Sequence, residues 1–172
     1  MKTSSPEFVP LDGNDAAAVR EMSALATGIV REHYDPIIGS AQNDYMIARF
    51  QTPEAVAEQL ARGVAYRFVR ADGANVGFLA YYPRGEAMYL SKFYLRKEAR
   101  GKGYARRMLA FVAAEARKAG LRAVELNVNK NNPTRFIYER LGLRRIRDEK
   151  IDIGGGFFMD DFVYRLDVIP DP

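Results

Sequence analysis

Apolar and polar positions in this chain follow two rhythms, and the points where one gives way to the other divide it into elements. Near the start, Ala17, Val19, Met22, Leu25, Ala26, Ile29 and Val30 recur three and four residues apart, the spacing of one helical face. Asp12 or Asp15 suits the N-cap, so a helix is expected over residues 12–32. His33-Tyr34-Asp35-Pro36-Ile37-Ile38-Gly39 reads as a loop from its Asp-Pro and its glycine. A short helix over 43–50 follows. Thr52-Pro53-Glu54 opens another, cap then proline, that runs to residue 62. The period then falls to two. Residues 65–70 alternate, Asp72-Gly73 turns the chain, 76–82 follow, Pro83-Arg84-Gly85 turns again, and 87–95 is an apolar run. A helical face returns in Ala105, Met108, Leu109, Val112, Ala113 and Ala116, with Arg117 and Lys118 in the last turn and Gly120 after it. Residues 123–128 form a strand. Asn131-Asn132-Pro133 opens a helix that stops near Gly142, and 143–153 and 157–168 flank Gly154-Gly155-Gly156 as a hairpin. Residues 8–11 make a short first strand, and residues 1–6 are expected to fray.

The order is therefore β, α, α, β, β, β, α, β, α, β, β. No repeat, low-complexity segment or linker interrupts it, and 172 residues suit one domain over 1–172. Such an order gives an α/β (α+β) fold with a mixed, mostly antiparallel central sheet and helices on both faces.

Composition narrows the picture by subtraction. There is no cysteine, which removes disulfides, thiolate metal sites and a cysteine nucleophile, and fits a cytoplasmic location. One histidine and no carboxylates at ligand spacing give a metal no support. No apolar run approaches the ~18 residues of a membrane span. Only Lys2 precedes the polar residues and Pro6 at the N-terminus, so no signal peptide is expected. Net charge is +4. Basic residues gather at 96–107 and 140–147, where they either solvate a face or meet a polyanion. No aromatic–basic interleaving favours nucleic acid. Composition leaves a homodimer open.

Between the run 87–95 and the helical face lies Arg100-Gly101-Lys102-Gly103-Tyr104-Ala105. A strand, a glycine turn and a helix start are what a pyrophosphate needs. Glycines let N–H groups approach the oxygens, the helix N-terminus adds partial positive charge, and Arg100 and Lys102 add full charges. A Walker loop is ruled out by spacing and by the lack of Ser or Thr after Lys102. The dinucleotide fingerprint is ruled out by Arg106, where its third glycine would stand. What remains, Arg-x-x-Gly-x-Ala on Arg100, Gly103 and Ala105, resembles the acyl-CoA site of the GNAT superfamily, the GCN5-related N-acetyltransferases, whose pattern is Gln/Arg-x-x-Gly-x-Gly/Ala. Downstream, Asn131, Tyr138 and Gly142 match that family's Asn-x-x-Ala, aromatic-Tyr and Gly-Phe signature, with Thr134, Ile137 and Leu143 as departures. The element order is also that family's, so the resemblance covers essentially the whole chain and implies the acyl-CoA N-acyltransferase (GNAT) fold.

The resemblance implies a role for each matched position, with acetyl-CoA as co-substrate. Backbone groups of Phe93, Tyr94 and Leu95 would pair with the pantetheine arm as an added strand does. The N–H groups of Gly101, Lys102, Gly103, Tyr104 and Ala105, beside Arg100, would hold the pyrophosphate. Asn131 would contact the arm, and Tyr138 would point at the thioester sulfur. Acceptor sites in the family are usually built from the first two helices with their loop and the late strands, which here makes His33, Tyr34 and Tyr45 candidates. In residues 159–162, read with period two, either Asp160 or Asp161 sits among apolar residues whichever face is core. Such a carboxylate needs a substrate ammonium or an internal donor, unless a bulge turns both to water. Asp160 is the candidate on the substrate side.

Amine acetylation needs a neutral nitrogen, a polarised carbonyl and a leaving thiolate. An alkylammonium of pKa ~10.4 is neutral in about one molecule in 2,500 at pH 7, a deficit of roughly 4.6 kcal/mol. A base, or desolvation of the ammonium, recovers part of it. Tyr138 is the candidate acid for the leaving thiolate, and N–H groups on the strand ending at Leu95 would polarise the carbonyl. With no cysteine for an acyl-enzyme, direct attack in a ternary complex is expected. The base is left among Glu86 at that strand's entrance, Glu125, His33 and a water chain. Ser91 and Lys92 interrupt this central strand as a locally solvated stretch would. The acidic candidates favour a cationic small-molecule acceptor, such as a polyamine or amino sugar. The rivals are a protein or peptide N-acetyltransferase and a non-catalytic acyl-CoA-binding regulatory module.

Overall fold

The computed structural model describes residues 4–172. Of the fray expected at 1–6, residues 1–3 lie outside it, and Pro6 is already buried. The elements in order are β1 (Glu7–Pro10), α1 (Ala16–Ile38), α2 (Ser40–Phe50), α3 (Pro53–Ala61), β2 (Ala65–Ala71), β3 (Ala74–Arg84), β4 (Ala87–Leu95), a 3-10 turn (Lys97–Ala99), α4 (Tyr104–Lys118), β5 (Ala123–Asn129), α5 (Thr134–Arg140), β6 (Arg144–Gly154) and β7 (Phe157–Asp167). The seven strands make one mixed sheet in the order β1-β2-β3-β4-β5-β7-β6. The chain divides into two compact units, Met1–Tyr82 with Lys92–Met108, and Pro83–Ser91 with Leu109–Pro172.

In the first unit, α1 turns Met22, Ala26, Ile29 and Val30 inward, where they join Val56 of α3, Tyr66 and Phe68 of β2, and Phe78 of β3 in one buried cluster. Each large side chain buried there contributes ~1.5–3 kcal/mol, more than helix propensity supplies over the same residues. Asp15 and Thr52 cap their helices through the N–H groups of Ala18 and Ala55. The expected loop from residue 33 is helix instead, and α1 continues through Pro36 to Ile38. An Asp-Pro pair disfavours helical geometry at the aspartate. Here the last turn is held from outside. Asn43 Nδ2 donates to the Val30 carbonyl (3.2 Å) and to Asp35 Oδ1 (2.6 Å), and Gly39 N–H donates to the Asp35 carbonyl (3.0 Å).

In the second unit, β5 pairs antiparallel with β7 over its whole length, from Ala123↔Asp167 to Asn129↔Asp161, and β7 pairs antiparallel with β6. With β4, β5 is parallel and shares only Ala87↔Ala123, Met88↔Val124 and Tyr89↔Glu125. Among the described residues that ladder ends at Tyr89↔Glu125. The register puts Tyr89, Glu125, Asn127, Asp161, Val163 and Arg165 on one face, and Met88, Val124, Leu126, Phe162 and Tyr164 on the other. No described helix is long and apolar enough to cross a membrane.

Candidate functional site

The glycine stretch is built in the first unit on a small apolar anchor. Ala99 just before it and Tyr104 near its end are buried with Ala71 and packed by Val76 and Leu95. Upstream, Arg96 N–H donates to the Val76 carbonyl (2.7 Å) and Arg96 Nε to the Asn75 carbonyl (3.1 Å), which ties the end of β4 to β3. Arg100 folds back so that Nη2 donates to the Leu95 carbonyl (3.3 Å). Gly101 and Gly103 both take positive φ, 75° and 81°, a region other residues enter only under strain. A β-carbon on either would touch nothing within 4 Å, so the space beside them is open. Among the described residues, the N–H groups of Gly101, Lys102, Gly103 and Tyr104 meet no acceptor. Successive unused N–H groups at a helix start form an anion-binding concavity.

On the same unit, Tyr34 meets Tyr94 edge to face (6.1 Å between centroids), and Tyr94 in turn packs on Phe78 (5.2 Å). His33 lies edge-on to Tyr34 at 4.9 Å. His33, Tyr34 and Tyr94 are thus brought together, on helix rather than on loop. Tyr45 stands on α2, where its hydroxyl accepts from Arg49 Nη1 (3.3 Å).

Lys92 is not in a solvated stretch; it is 6% exposed. Its Nζ donates to the Phe50 carbonyl (2.9 Å), to Gln51 Oε1 (3.0 Å) and to the Tyr66 hydroxyl, which donates onward to Gln59 Oε1 (2.6 Å). The stretch interrupts the apolar pattern because β4 carries an internal cation that grips the α2–α3 junction. Burial, with no acid beside it, brings the Lys92 ammonium down to about 7 and holds the Tyr66 phenol above the ordinary tyrosine range.

In the second unit, Asn131 is exposed and its N–H donates to Asn129 Oδ1 (2.9 Å). The cap position of α5 is Pro133, and the buried Asn132 just before it accepts from Thr134 N–H (3.0 Å). Tyr138 is 7% exposed and edge-on to Tyr164 (6.4 Å, 68°). Tyr164 donates to Glu139 Oε1 (2.7 Å). Glu125 and Glu86 both take N–H groups of Arg165, at 3.1 and 3.0 Å, so neither is an uncommitted base. Asp160 is half-exposed and pairs with Lys130 (3.1 Å). Its neighbour Asp161 is the buried member of the two, at 3%. Asp161 Oδ2 accepts from Asn127 Nδ2 (3.3 Å), and Asn127 Oδ1 accepts from the Tyr89 hydroxyl (3.0 Å). Burial and the negative charges of Glu149 and Asp160 push the Asp161 carboxyl up to about 6, against the Asn127 hydrogen bond and Lys130. No group of three or more His, Asp or Glu side chains suited to a metal ion occurs among the described residues.

Three features escaped the sequence reasoning. The Lys92 grip had a visible signal, a charge in a central-strand pattern. The Tyr89–Asn127–Asp161 chain had half of one, a carboxylate out of phase in 159–162. Gly77 had one that went unread, an isolated glycine inside a strand. A β-carbon there would lie 2.3 Å from the Tyr94 carbonyl oxygen and 3.2 Å from Leu95 Cα. The close approach of β3 to the end of β4 therefore requires glycine.

Comparison with known proteins adds the family. No curated protein matches the chain. Its fold is similar to a GCN5-related N-acetyltransferase from Rhodopseudomonas palustris (15% identity, 98% of this chain and 99% of that one, TM-score 0.79). It is similar also to the PaiA N-acetyltransferase of Thermoplasma acidophilum, solved in complex with coenzyme A (19%, 95% and 99%, 0.76). A third is aminoglycoside 6'-acetyltransferase type Ii (16%, 96% and 99%, 0.62). At these identities the likeness shows the fold. The sequence model of the acetyltransferase (GNAT) family matches residues 30–143, a span that takes in β4, the glycine stretch, α4, β5 and α5. The chain belongs to the GNAT acetyltransferase family.

Proposed function

We propose that this protein transfers an acetyl group from acetyl-CoA to a primary amine on a cationic small molecule, a polyamine or amino sugar, by direct attack in a ternary complex. The observation that carries the reading is the run of unused N–H groups at Gly101–Tyr104 beside Arg100 and Lys102, in a chain of this family. The N–H groups through Ala105 hold the pyrophosphate. Backbone groups of Phe93, Tyr94 and Leu95 take the pantetheine arm as an added strand, and Asn131 contacts it. Tyr138 gives its hydroxyl proton to the sulfur as the C–S bond breaks. His33, Tyr34 and Tyr45 line the acceptor's approach, with Asp160 a surface carboxylate for a second cationic group. The protein works in the cytoplasm.

The test is release of CoA thiol from acetyl-CoA across polyamines, amino sugars, amino acids and peptides. With no cysteine in the chain, a thiol reagent sees no protein background. Release with polyamines or amino sugars, abolished in Gly103→Glu, is expected. Neither release nor calorimetric binding of acetyl-CoA would end the reading.

A further inference from the structure

Asp161 is an anomaly in the second unit. Among the described residues there, the buried carboxylates are Glu125 and Asp161, and Glu125 is neutralised by Arg165. Asp161 has no ion pair. A carboxylate accepts up to four hydrogen bonds. Asp161 accepts one, at Oδ2 from Asn127; Oδ1 accepts none from the protein and is open to solvent, since it is not among the sealed side-chain atoms that lack a partner. Its charged surroundings make matters worse. Glu149 stands opposite it in the β6 register, Asp160 precedes it, and the nearest cation, Lys130, is already shared by Asp148 (3.4 Å) and Asp160 (3.1 Å). A largely buried anion in a negative field, with one oxygen undonated by the protein and open to solvent, offers a place for a cation.

The side chains that reach Asp161 are arranged rather than accidental. Asn127 is fixed at both ends: its oxygen takes the Tyr89 proton and its nitrogen serves Asp161. Tyr89 is fixed in turn by the Arg84 guanidinium, 3.7 Å from its ring centroid. Tyr89 is also the last residue of β4 to pair with β5. The chain Tyr89–Asn127–Asp161 therefore joins three strands, starting at the last β4–β5 pair and ending at Asp161, opposite Asn129 at the end of β5.

We propose that Asp161 receives the acceptor's primary ammonium, pairing with it and taking its proton. This rests on the acetyl-transfer reading. One N–H bond of the ammonium breaks and an O–H bond forms on Asp161. The freed lone pair adds to the thioester carbon, and the C–S bond breaks. The thiolate takes the Tyr138 proton, and the nitrogen's second surplus proton restores Tyr138 by way of solvent. Asp161 then gives its proton to water. Asn127 is a positioning residue, since it acts through Asp161. A carboxyl near pH 6 is ionised at neutral pH and still basic enough to accept a proton in the transition state.

Asp161→Asn is the discriminating variant, because its carbonyl can still accept from Asn127 while the charge is gone. With the best amine of the panel, wild-type kcat/KM is expected to rise with pH through about 6. The variant is expected to lose about 10²–10³-fold at pH 7, to lose that acid limb, and to bind acetyl-CoA as tightly as wild type. Asp161→Glu should restore part of the rate. Loss of less than threefold, or an unchanged acid limb, would overturn the assignment while leaving acetyl transfer standing. If wild type binds acetyl-CoA yet acetylates no amine tried, calorimetry with spermidine, kanamycin and n-butylamine decides. Binding to wild type but not to Asp161→Asn supports the ammonium site, and equal or absent binding overturns it.

Discussion

Lys92 in the first unit and Asp161 in the second are each buried without an ion pair, and their hydrogen bonds differ. An ammonium has three donors, and Lys92 places all three on neutral oxygens of Phe50, Gln51 and Tyr66. A carboxylate has several acceptor positions, and Asp161 fills one. Both charges suffer from desolvation, so both pKa values move toward neutrality, one down to about 7 and the other up to about 6. The difference lies in what a ligand could add. Nothing remains to be donated by Lys92, and its oxygens belong to the α2–α3 junction, so it holds structure. At Asp161 one oxygen has no donor from the protein and is open to solvent, so a cation could still add an interaction there. Burial or a shifted pKa alone would not separate these cases; unfilled hydrogen-bond positions do.

The largest effect that tests the comparison is Lys92's contribution to stability against pH. In the unfolded chain a lysine holds its proton to 10.5, whereas folded Lys92 releases it near 7. Between those values the unfolded state binds more protons, so stability rises with pH, and below 7 the penalty is complete. Lys92→Met has no such group. The stability of wild type minus variant, from urea unfolding, should climb by roughly 1.4 kcal/mol per pH unit from about 7 to 9.5. At the top of that range the variant should be less stable by about 1–3 kcal/mol, because Gln51 Oε1 is left without its donor. A flat difference would mean that the three acceptors fully replace water around the ammonium.

Asp161 should show the opposite slope. Folded Asp161 keeps its proton up to about 6, while the unfolded chain loses it near 3.8. Across that window the folded state binds more protons, so stability falls as pH rises, and the penalty is complete above 6. Removing the carboxylate should lift it. Asp161→Asn should be more stable than wild type by about 2–3 kcal/mol at pH 8 and unchanged below pH 3.8, read as unfolding midpoints. A variant that loses transfer activity while gaining stability would mark a residue kept for chemistry. A variant less stable at pH 8 would place Asp161 beside Lys92 as a structural charge.

How much of this was legible follows the range of the interactions. Strands, turns and helix starts were readable because they rest on neighbours in sequence. Thr52 caps Ala55, and the glycine stretch lies between β4 and α4 as its pattern demands. The expected loop at 33–39 failed because Asn43 holds α1's last turn through Val30 and Asp35, a compensation from the next helix that no local propensity contains. The choice between Asp160 and Asp161 was undecidable from period two alone. Either phase puts a carboxylate among apolar residues, and only the β5 register, with Asn127 on Asp161's face and Lys130 taking Asp160, separates them. Glu125 was a reasonable base until Arg165, forty positions away, was seen to occupy it.

The smallest effect expected comes from a residue with no charge. Gly77→Ala puts a β-carbon 2.3 Å from the Tyr94 carbonyl oxygen, so the end of β4 must move. Overpacking of this kind costs about 1–3 kcal/mol, part of it relieved where the strand can yield. Tyr94 and Leu95 are proposed to take the pantetheine arm, and Leu95 also packs the anchor of the glycine stretch, so the shift should weaken acetyl-CoA binding several-fold by calorimetry. The Tyr89–Asn127–Asp161 chain lies wholly in the other unit. The activity that remains should therefore keep its acid limb near pH 6. Gly77→Ala thus tests the donor side with every charge left in place, while Asp161→Asn tests the acceptor side with β4 left in place. If the glycine variant also erased the acid limb, the displaced end of β4 would be acting on Asp161's proton, and the two sides could not be assigned to separate residues.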